Sequence, residues 1–405
     1  MRKGTVTRVR TRDGRVREER ARPDGSYEKI SETVEVLPSY LEHSDQGFAK
    51  LSAFVHNGTR WARGRPPVDA KKQAKRLDLL AEEDEDQEKD DVEEEEEEEE
   101  GGGGDAAGGR RSAGQEPNSR GALKLVTYNV WFAREDQLLR ARGLLAVVEA
   151  QQPDVVCLQE VTVPFLECLL AEPWVQRDFV VSDNATGTTV NPYGVAMLVR
   201  KATPATPWLQ DPEFTIHHLP SNMGRRALFA SLASGNLRVG TAHLESLDNA
   251  ALRIAQLDVV GGILHGSPHH GGSLAPAGEP PPITAALFAG DTNFGERCPE
   301  ADAARSALVH ASDVWPCVHG EGSVGKVQTM LREKIGRLDK VYCQRGSGSS
   351  AAGEEASATR AGYVRLEPTD IGLLGTAPCH VKEDGTEVFP SDHAGVTASF
   401  VVEMG

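Results

Sequence analysis

Residues 123–132, LKLVTYNVWF, and residues 154–161, DVVCLQEV, are two apolar runs of strand length, and each delivers a polar residue near its end, Asn129 in the first and Glu160 in the second. Between them, EDQLLRARGLLAVVEAQQ places Leu138, Leu139, Leu145 and Val148 on one face of a helix, the pattern of an element packed on a core. Strand, helix and strand in that order point to an α/β domain. The same texture continues to the end of the chain. VPFLECLLAEPW reads as a helix, and FVVSD, YGVAMLV, ALFASL and LRVGTAHL read as strands. NAALRIAQLDVVGGIL is a helix, ITAALFAG a strand and ADAARSALVHASDVW a helix; RLDKVYCQ, VRLEPTDIGLL and GVTASFVV close the domain as strands. Residues 265–282 and 345–362 are low in complexity and read as flexible loops. His265, His269 and His270 fall in the first of them, where a Gly/Pro-rich setting gives no rigid geometry for a metal.

Charge divides the remainder. The 405 residues carry 44 Lys+Arg against 61 Asp+Glu, a formal net charge of −17. Most of that excess lies in residues 82–100, which hold 16 acids and one base, Lys89. Such a run, followed by GGGGDAAGG, cannot bury apolar surface and repels itself, so residues 82–120 read as a disordered acidic and Gly-rich linker. It separates a basic N-terminal region, residues 1–81, from the α/β domain of residues 121–405. In the N-terminal region the dipeptides Asp13-Gly14 and Asp24-Gly25 fit the turns of a small β unit, with a partly ordered basic arm as the alternative. Lys71, Lys72, Lys75 and Arg76 fit a nuclear-import signal or a solvated helix face, and the expected location is the nucleus, the cytoplasm or both. No stretch approaches the roughly 18 apolar residues of a membrane span. MRKGTVTRVRTRDGR has no apolar segment of a secretory signal. The six cysteines include no Cys-x-x-Cys pair, which argues against a zinc ribbon and fits a reducing compartment.

The chemistry-bearing residues gather where strands stop. LVTYNVW delivers Asn129, VVCLQEV delivers Glu160, and VGTAHLES delivers His243, Glu245 and Ser246. ALFAGDTNF delivers Asp291, Thr292 and Asn293, and FPSDHAGV places Asp392 and His393 just before the last strand. One Asn or Asp after a strand is ordinarily a turn former. Five strands ending this way, in one domain, point instead to a polar site at one end of a sheet.

On TYNVWF, LQEVT, SNMGR, TAHLES, GDTNF, DVW, RLDKVY and SDHAGV the sequence resembles the endonuclease/exonuclease/phosphatase superfamily over about residues 121–402. Within it, the sequence looks most like the 5′-tyrosyl-DNA phosphodiesterase branch in its plant-like form. The resemblance implies a four-layer α/β sandwich of two packed mixed sheets flanked by helices. It also implies a divalent metal, Mg2+ with Mn2+ as a substitute, and hydrolysis of a phosphodiester at DNA 5′ ends that carry tyrosyl or protein adducts. By the same resemblance Glu160, with Asn129 beside it, holds the metal, and Asn129 also orients the phosphate. Asp291 aligns and deprotonates the attacking water, and Asn293 holds water or phosphate. His243 and Ser246 contact the phosphate, and His393 donates to a phosphoryl oxygen with Asp339 as its carboxylate partner. Asp392 organises metal-bound water. Arg225, with Arg226 as a second candidate, is the basic residue near the substrate, and Trp315 is either an apolar wall for a terminal base or core. The branch usually carries Arg two residues after the GDTN motif; here that position is Gly295, and Arg297 follows two residues later. The N-terminal zinc finger of some relatives is excluded, because no cysteine precedes Cys157.

Other activities of the superfamily stand beside this reading: an abasic-site endonuclease, an RNA deadenylase, or a lipid or inositol phosphate hydrolase. A non-enzymatic acidic scaffold with a vestigial nuclease fold is the third class, disfavoured because all five strand-end motifs retain their metal and base residues.

Overall fold

A computed structural model of the chain describes residues 6–10, 15–21, 27–34, 48–63, 119–265, 285–331, 336–346 and 363–405. The first three segments are strands β1 (Val6–Arg10), β2 (Arg15–Ala21) and β3 (Tyr27–Val34), paired as an antiparallel sheet. The acidic run of residues 82–100, the basic cluster at 71–76 and most of the two low-complexity inserts lie outside the described residues.

Two larger sheets form the body. Their strands in chain order are β4 (Phe48–Leu51), β5 (Phe54–His56), β6 (Trp61–Arg63), β7 (Ser119–Asn129), β8 (Val155–Val161), β9 (Phe179–Val181), β10 (Gly194–Arg200), β11 (Glu213–His218) and β12 (Arg226–Leu232), then β13 (Leu237–His243), β14 (Ala285–Asp291), β15 (Ser312–Asp313), β16 (Asp339–Gln344) and β17 (Val364–Leu374). A small hairpin of β18 (His380–Val381) and β19 (Glu387–Val388) precedes the last strand, β20 (Gly395–Met404). One sheet runs β17-β20-β7-β8-β10-β9-β5-β6, the other β15-β16-β14-β13-β12-β11-β4. Both are mixed: β7 and β8 are parallel, as are β13 and β14, while the other pairs are antiparallel.

The period of two along each strand sorts its side chains into layers. Leu123 and Leu125 of β7, Val155 and Cys157 of β8, and Leu287 and Ala289 of β14 share one buried cluster between the sheets. The alternate residues Val126, Tyr128, Val156 and Leu158 pack outward on helices α1 (Gln137–Ala150), α2 (Val163–Ala171) and α3 (Pro173–Asp178). Ala286 and Phe288 pack on α4 (Ala250–Leu264) and α5 (Pro299–Ala307) on the other side. Helix, sheet, sheet and helix make the expected four-layer α/β sandwich. The segment read as one helix up to Trp315 is divided: α5 ends at Ala307, β15 follows, and α6 (Val314–His319) starts where Asp313 accepts the Trp315 N–H at 3.1 Å. A carboxylate at that position caps a new helix rather than continuing the old one. No described helix is long and apolar enough to cross a membrane.

Residues 48–63, grouped by composition with the basic N-terminal region, are paired into both sheets. β4 extends the seven-stranded sheet beside β11, and β5 extends the eight-stranded sheet beside β9. Only Ser52 and Ala53 separate these strands, so a short stretch of chain clips the two sheets together along one flank. Leu51, Ala53 and Val55 pack on the inter-sheet core, and Trp61 lies on the outer cluster with its indole N–H donating to the Leu170 carbonyl at 3.0 Å.

The clip makes a stability prediction. Trp61→Ala removes a half-buried aromatic and should cost about 1–3 kcal/mol, lowering the melting temperature by roughly 2–8 °C, while activity per folded molecule stays unchanged. An unaltered melting temperature would mean that β5 and β6 add nothing to the sandwich.

Candidate active site

Along the inner face of the sandwich, the apolar rows give way to polar ones at one end. The first polar row is Thr127, Gln159 and Thr241, all fully buried. The Gln159 amide N–H donates to Thr127 Oγ1 at 3.0 Å and to Thr241 Oγ1 at 2.9 Å, joining the two sheets. The next row holds Asn129, His243 and Asp291. The parallel register sets His243 opposite Asp291, and the antiparallel one sets Asp291 opposite Asp339. Gly290 permits this closeness: a Cβ there would collide with the Ala242 carbonyl of the neighbouring strand.

Glu160 reaches the site against the alternation. With Val155, Cys157 and Gln159 facing inward, the next residue should point to the helices. At this point β10 has one residue, Val195, where β8 has two, and Glu160 itself has φ 58°. A bulge with a left-handed residue re-aims a side chain at a cost in strain. It brings Glu160 Oε1 to 3.7 Å from His243 Nδ1, while Oε2 accepts the Phe132 N–H at 3.0 Å. Asn293, with φ 54°, is the second left-handed residue of the site.

Asp291 stands at the centre. Its Oδ2 accepts from Asn129 Nδ2 at 3.0 Å and lies 3.4 Å from His243 Nε2 and 3.8 Å from His393 Nε2. Its Oδ1 accepts the Asn293 N–H at 2.9 Å. His393 Nδ1 is bound to Asp339 Oδ2 at 2.8 Å. Burial works against the charge on His393, but Asp339, Asp291 and Asp392 outweigh it and raise its pKa from 6.5 to about 10. His243 goes the other way: burial lowers its pKa to about 3, with Asp291 opposing and Arg225 and His393 adding to the shift. A guanidinium can only donate, so Arg225 Nη1, 2.9 Å from His243 Nδ1, makes that nitrogen the acceptor and puts the proton on Nε2, facing Asp291. The two histidines are therefore one imidazolium and one neutral imidazole.

Arg225 also donates to Ser246 Oγ at 2.7 Å, and Asn293 Nδ2 donates to the Leu244 carbonyl at 3.1 Å and Ser246 Oγ at 3.4 Å. Arg226 donates to the Thr189 carbonyl at 2.8 Å and lines the same small pocket as Arg225 and His243. Asp392 lies at the margin, its Oδ1 3.3 Å from Ser391 Oγ, and burial raises its pKa. Trp315 packs in the inter-sheet core at 7% exposure, with the Arg337 guanidinium 5.9 Å from its ring. That contact supports the core alternative rather than a wall for a base. Arg297 is exposed. The neighbouring Glu296 turns inward to Arg337 at 2.9 Å and Lys340 at 3.2 Å, which anchors the loop after β14 to the start of β16.

Several contributors have supporting roles that the sequence alone does not assign. Glu245, fully buried, accepts from Ser221 Oγ and from the Asn222 N–H at 2.8 Å, and Ser221 Oγ in turn accepts the Arg225 N–H at 2.9 Å, fixing the loop that presents Arg225. Phe132 and Tyr193 stack face to face beside the site, with ring centroids 4.8 Å apart and planes 8° apart.

The donor set suits a hard divalent cation. Glu160, Asp291, Asp339 and Asp392 crowd one end of the sandwich against the cations His393 and Arg225, and burial raises the pKa of Glu160. An excess of buried carboxylate is costly unless something neutralises it, and oxygen ligands favour Mg2+ or Mn2+. Asp291, Asp339 and His393 present ligand atoms within 4.8 Å of one another, but a protonated His393 bound to Asp339 has no free lone pair for a metal. Glu160, with Asn129 beside it, is the better holder.

This electrostatic asymmetry can be read directly. In metal-free protein, 15N spectra of the imidazoles should show His393 protonated and His243 neutral throughout pH 6–8. Asp339→Asn should move the His393 titration down towards the ordinary range near 6.5. Titration of both rings near that value in the unaltered protein would contradict the arrangement.

A profile of the Endonuclease/Exonuclease/phosphatase family matches residues 126–393. The chain is 28% identical over 292 residues to Tyrosyl-DNA phosphodiesterase 2 of Xenopus tropicalis, a match covering 68% of this chain and 65% of that protein. It thus spans a little less than two thirds of that relative. It is 26% identical over 299 residues to the Gallus gallus protein of the same name, covering 69% of this chain and 67% of that one. Among solved structures, D. rerio TDP2 complexed with single strand DNA product aligns over 69% of this chain and 98% of that chain, at 21% identity and a TM-score of 0.46. With the family profile covering more than half of its length, the chain belongs to the endonuclease/exonuclease/phosphatase family.

Proposed function

We propose that this protein is a divalent-metal-dependent phosphodiesterase that hydrolyses 5′-phosphotyrosyl linkages at DNA ends, with Mg2+ as its working cation and Mn2+ as a substitute. The observation that carries the reading is the arrangement around Asp291 Oδ2, with an amide, a neutral imidazole and an imidazolium each within 4 Å of one carboxylate oxygen. The two relatives named Tyrosyl-DNA phosphodiesterase 2 favour the tyrosyl-DNA substrate, as does TAHLES leading after a short loop into α4.

In this reading Asp291 is the base. Asn129 and His243 hold its carboxylate in place from the two sheets, and it takes the proton of the attacking water. His393, oriented and kept charged by Asp339, turns its Nε2–H toward a phosphoryl oxygen as negative charge builds there. Arg225 and Ser246 hold another phosphate oxygen, and Asn293 supports the Ser246 side. A cation held by Glu160 would neutralise phosphate charge and so help the leaving oxygen. The products are a free tyrosyl group and a 5′-phosphate end. A location in the nucleus, the cytoplasm or both belongs to the same proposal, with the Lys71–Arg76 cluster supporting the nucleus.

A product assay tests it. A 5′-phosphotyrosyl oligonucleotide should be cleaved with Mg2+ and not without it, while abasic DNA, poly(A) RNA and an inositol phosphate should be poor substrates. Preferred cleavage of any of the latter three would assign the other activity. Asp291→Asn should lower kcat by about 10²–10⁴-fold and His393→Ala by about 10²–10³-fold, with much smaller changes in KM. Because the two groups serve one step, the double variant should lose less than the product of the single losses. Glu160→Gln should lose most turnover at limiting Mg2+ with the fold intact. Full activity of Glu160→Gln at limiting Mg2+ would remove Glu160 from the metal site.

A further inference from the structure

Resting on the phosphotyrosyl reading of this site, we infer that Phe132 is a specificity-determining residue whose exposed ring receives the aromatic leaving group of the substrate. Of the five large apolar side chains that stand exposed among the described residues, Phe132 is the one tied to the site by a backbone bond, its N–H holding Glu160 at 3.0 Å. Phe132 is 46% exposed as a residue, and its ring lies flat on Tyr193, with centroids 4.8 Å apart and planes 8° apart. Tyr193 in turn has the Arg225 guanidinium 5.6 Å from its ring centroid. Arg225 is 7% exposed and bound to His243 and Ser246. Through Tyr193, Phe132 is thus linked to the residues proposed to contact the phosphate, while Phe132 itself stands exposed.

The stack is rigid where it matters. Arg140, 3% exposed, donates to the carbonyls of Val130, Trp131, Ala133 and Glu135 and so fixes the loop on both sides of Phe132. A preset aromatic face gains stacking energy without the cost of ordering a loop. Tyr193, Gly194, Met223, Gly224, Arg225 and His243 line a small pocket beside it. The place of Phe132 beside Glu160 decides which ring fits. The Phe132 N–H holds Glu160, whose cation would face the leaving oxygen. In an aryl ester the ring is bonded directly to that oxygen, whereas a nucleobase is separated from the 5′ phosphate by a whole sugar, so a shelf beside Glu160 suits the aryl leaving group.

The test compares esters across variants, so that intrinsic leaving-group reactivity cancels. kcat/KM is measured with Mg2+ for an oligonucleotide bearing a 5′-phosphotyrosyl group, for the same oligonucleotide bearing a 5′-trifluoroethyl phosphodiester, and for a phosphotyrosyl oligonucleotide whose first nucleotide is abasic. Phe132→Ala should lose about 5- to 150-fold on both tyrosyl substrates, the range of one lost aromatic stack. It should change the trifluoroethyl ester less than twofold, and Phe132→Trp should restore the tyrosyl rate. Equal losses on aryl and alkyl esters would mean that Phe132 acts only through its hold on Glu160. A loss that vanishes with the abasic first nucleotide would assign the shelf to a base. Either result overturns the inference and leaves the phosphotyrosyl reading standing. An unaltered protein inactive on every ester would overturn both.

Discussion

One oxygen atom, Oδ2 of Asp291, is where the two sheets of this protein meet. Asn129 approaches it from the eight-stranded sheet, His243 from the adjacent strand of the seven-stranded sheet, and His393 from the segment that leads into β20. Everything nearby serves that meeting. The Thr127, Gln159 and Thr241 row ties the sheets together one layer below, with every donor of the Gln159 amide used. Gly290 lets β13 and β14 come close enough to place His243 opposite Asp291. Beneath these rows the inner faces are apolar, so the site is built on a dry base in which charges interact more strongly than in water. That setting is what drives His243 and His393 to opposite protonation states although both are buried and both face the same carboxylate.

Much of this was readable in the sequence. An apolar run that breaks at Asn129, at His243 or at Asp291 marks the end of a strand, and the period of two then tells which residues share a face. What the linear pattern could not carry was any departure from that period. Glu160 should have faced the helices, and only the bulge opposite Val195 turns it inward. Trp315 could not be told from a substrate wall, because an aromatic side chain serves either use and only its neighbours decide. Glu245, Ser221 and Phe132 lie within TAHLES, SNMGR and TYNVWF, but the linear pattern does not pair Glu245 with Ser221 or Phe132 with Tyr193. Their roles arise from contacts that exist only once the sheets have packed.

The N-terminal clip shows the same limit. Composition separates residues 48–63 from the α/β domain by an acidic run of 16 acids, yet β4 and β5 complete the two sheets. Strand pairing depends on backbone groups, and a short edge strand needs few apolar residues to dock. The acidic run is thus enclosed within the sandwich's sequence rather than placed before it. Near the site the chain also departs from the usual GDTN pattern. Where the branch has arginine it has Gly295, and the next residue, Glu296, ties the loop to Arg337 and Lys340 on the strand that carries Asp339. Under the proposed function the basic group facing the phosphate is Arg225, which is fixed by His243 and Ser246.

The central claim is that this end of the sandwich carries more buried carboxylate than its own cations balance, with a divalent ion making up the difference. The most direct measurement is the melting temperature as a function of Mg2+ concentration, for the unaltered protein and for Glu160→Gln. Binding to the folded state alone raises stability with ligand concentration, so the unaltered protein should melt progressively higher as Mg2+ is added. Without Mg2+ the Glu160→Gln variant should melt at the same temperature or higher, since it lacks one of the crowded charges, and its response to Mg2+ should be largely lost. A melting temperature of the unaltered protein that ignores Mg2+, or a variant that is less stable without the ion and still responds fully to it, would contradict the account.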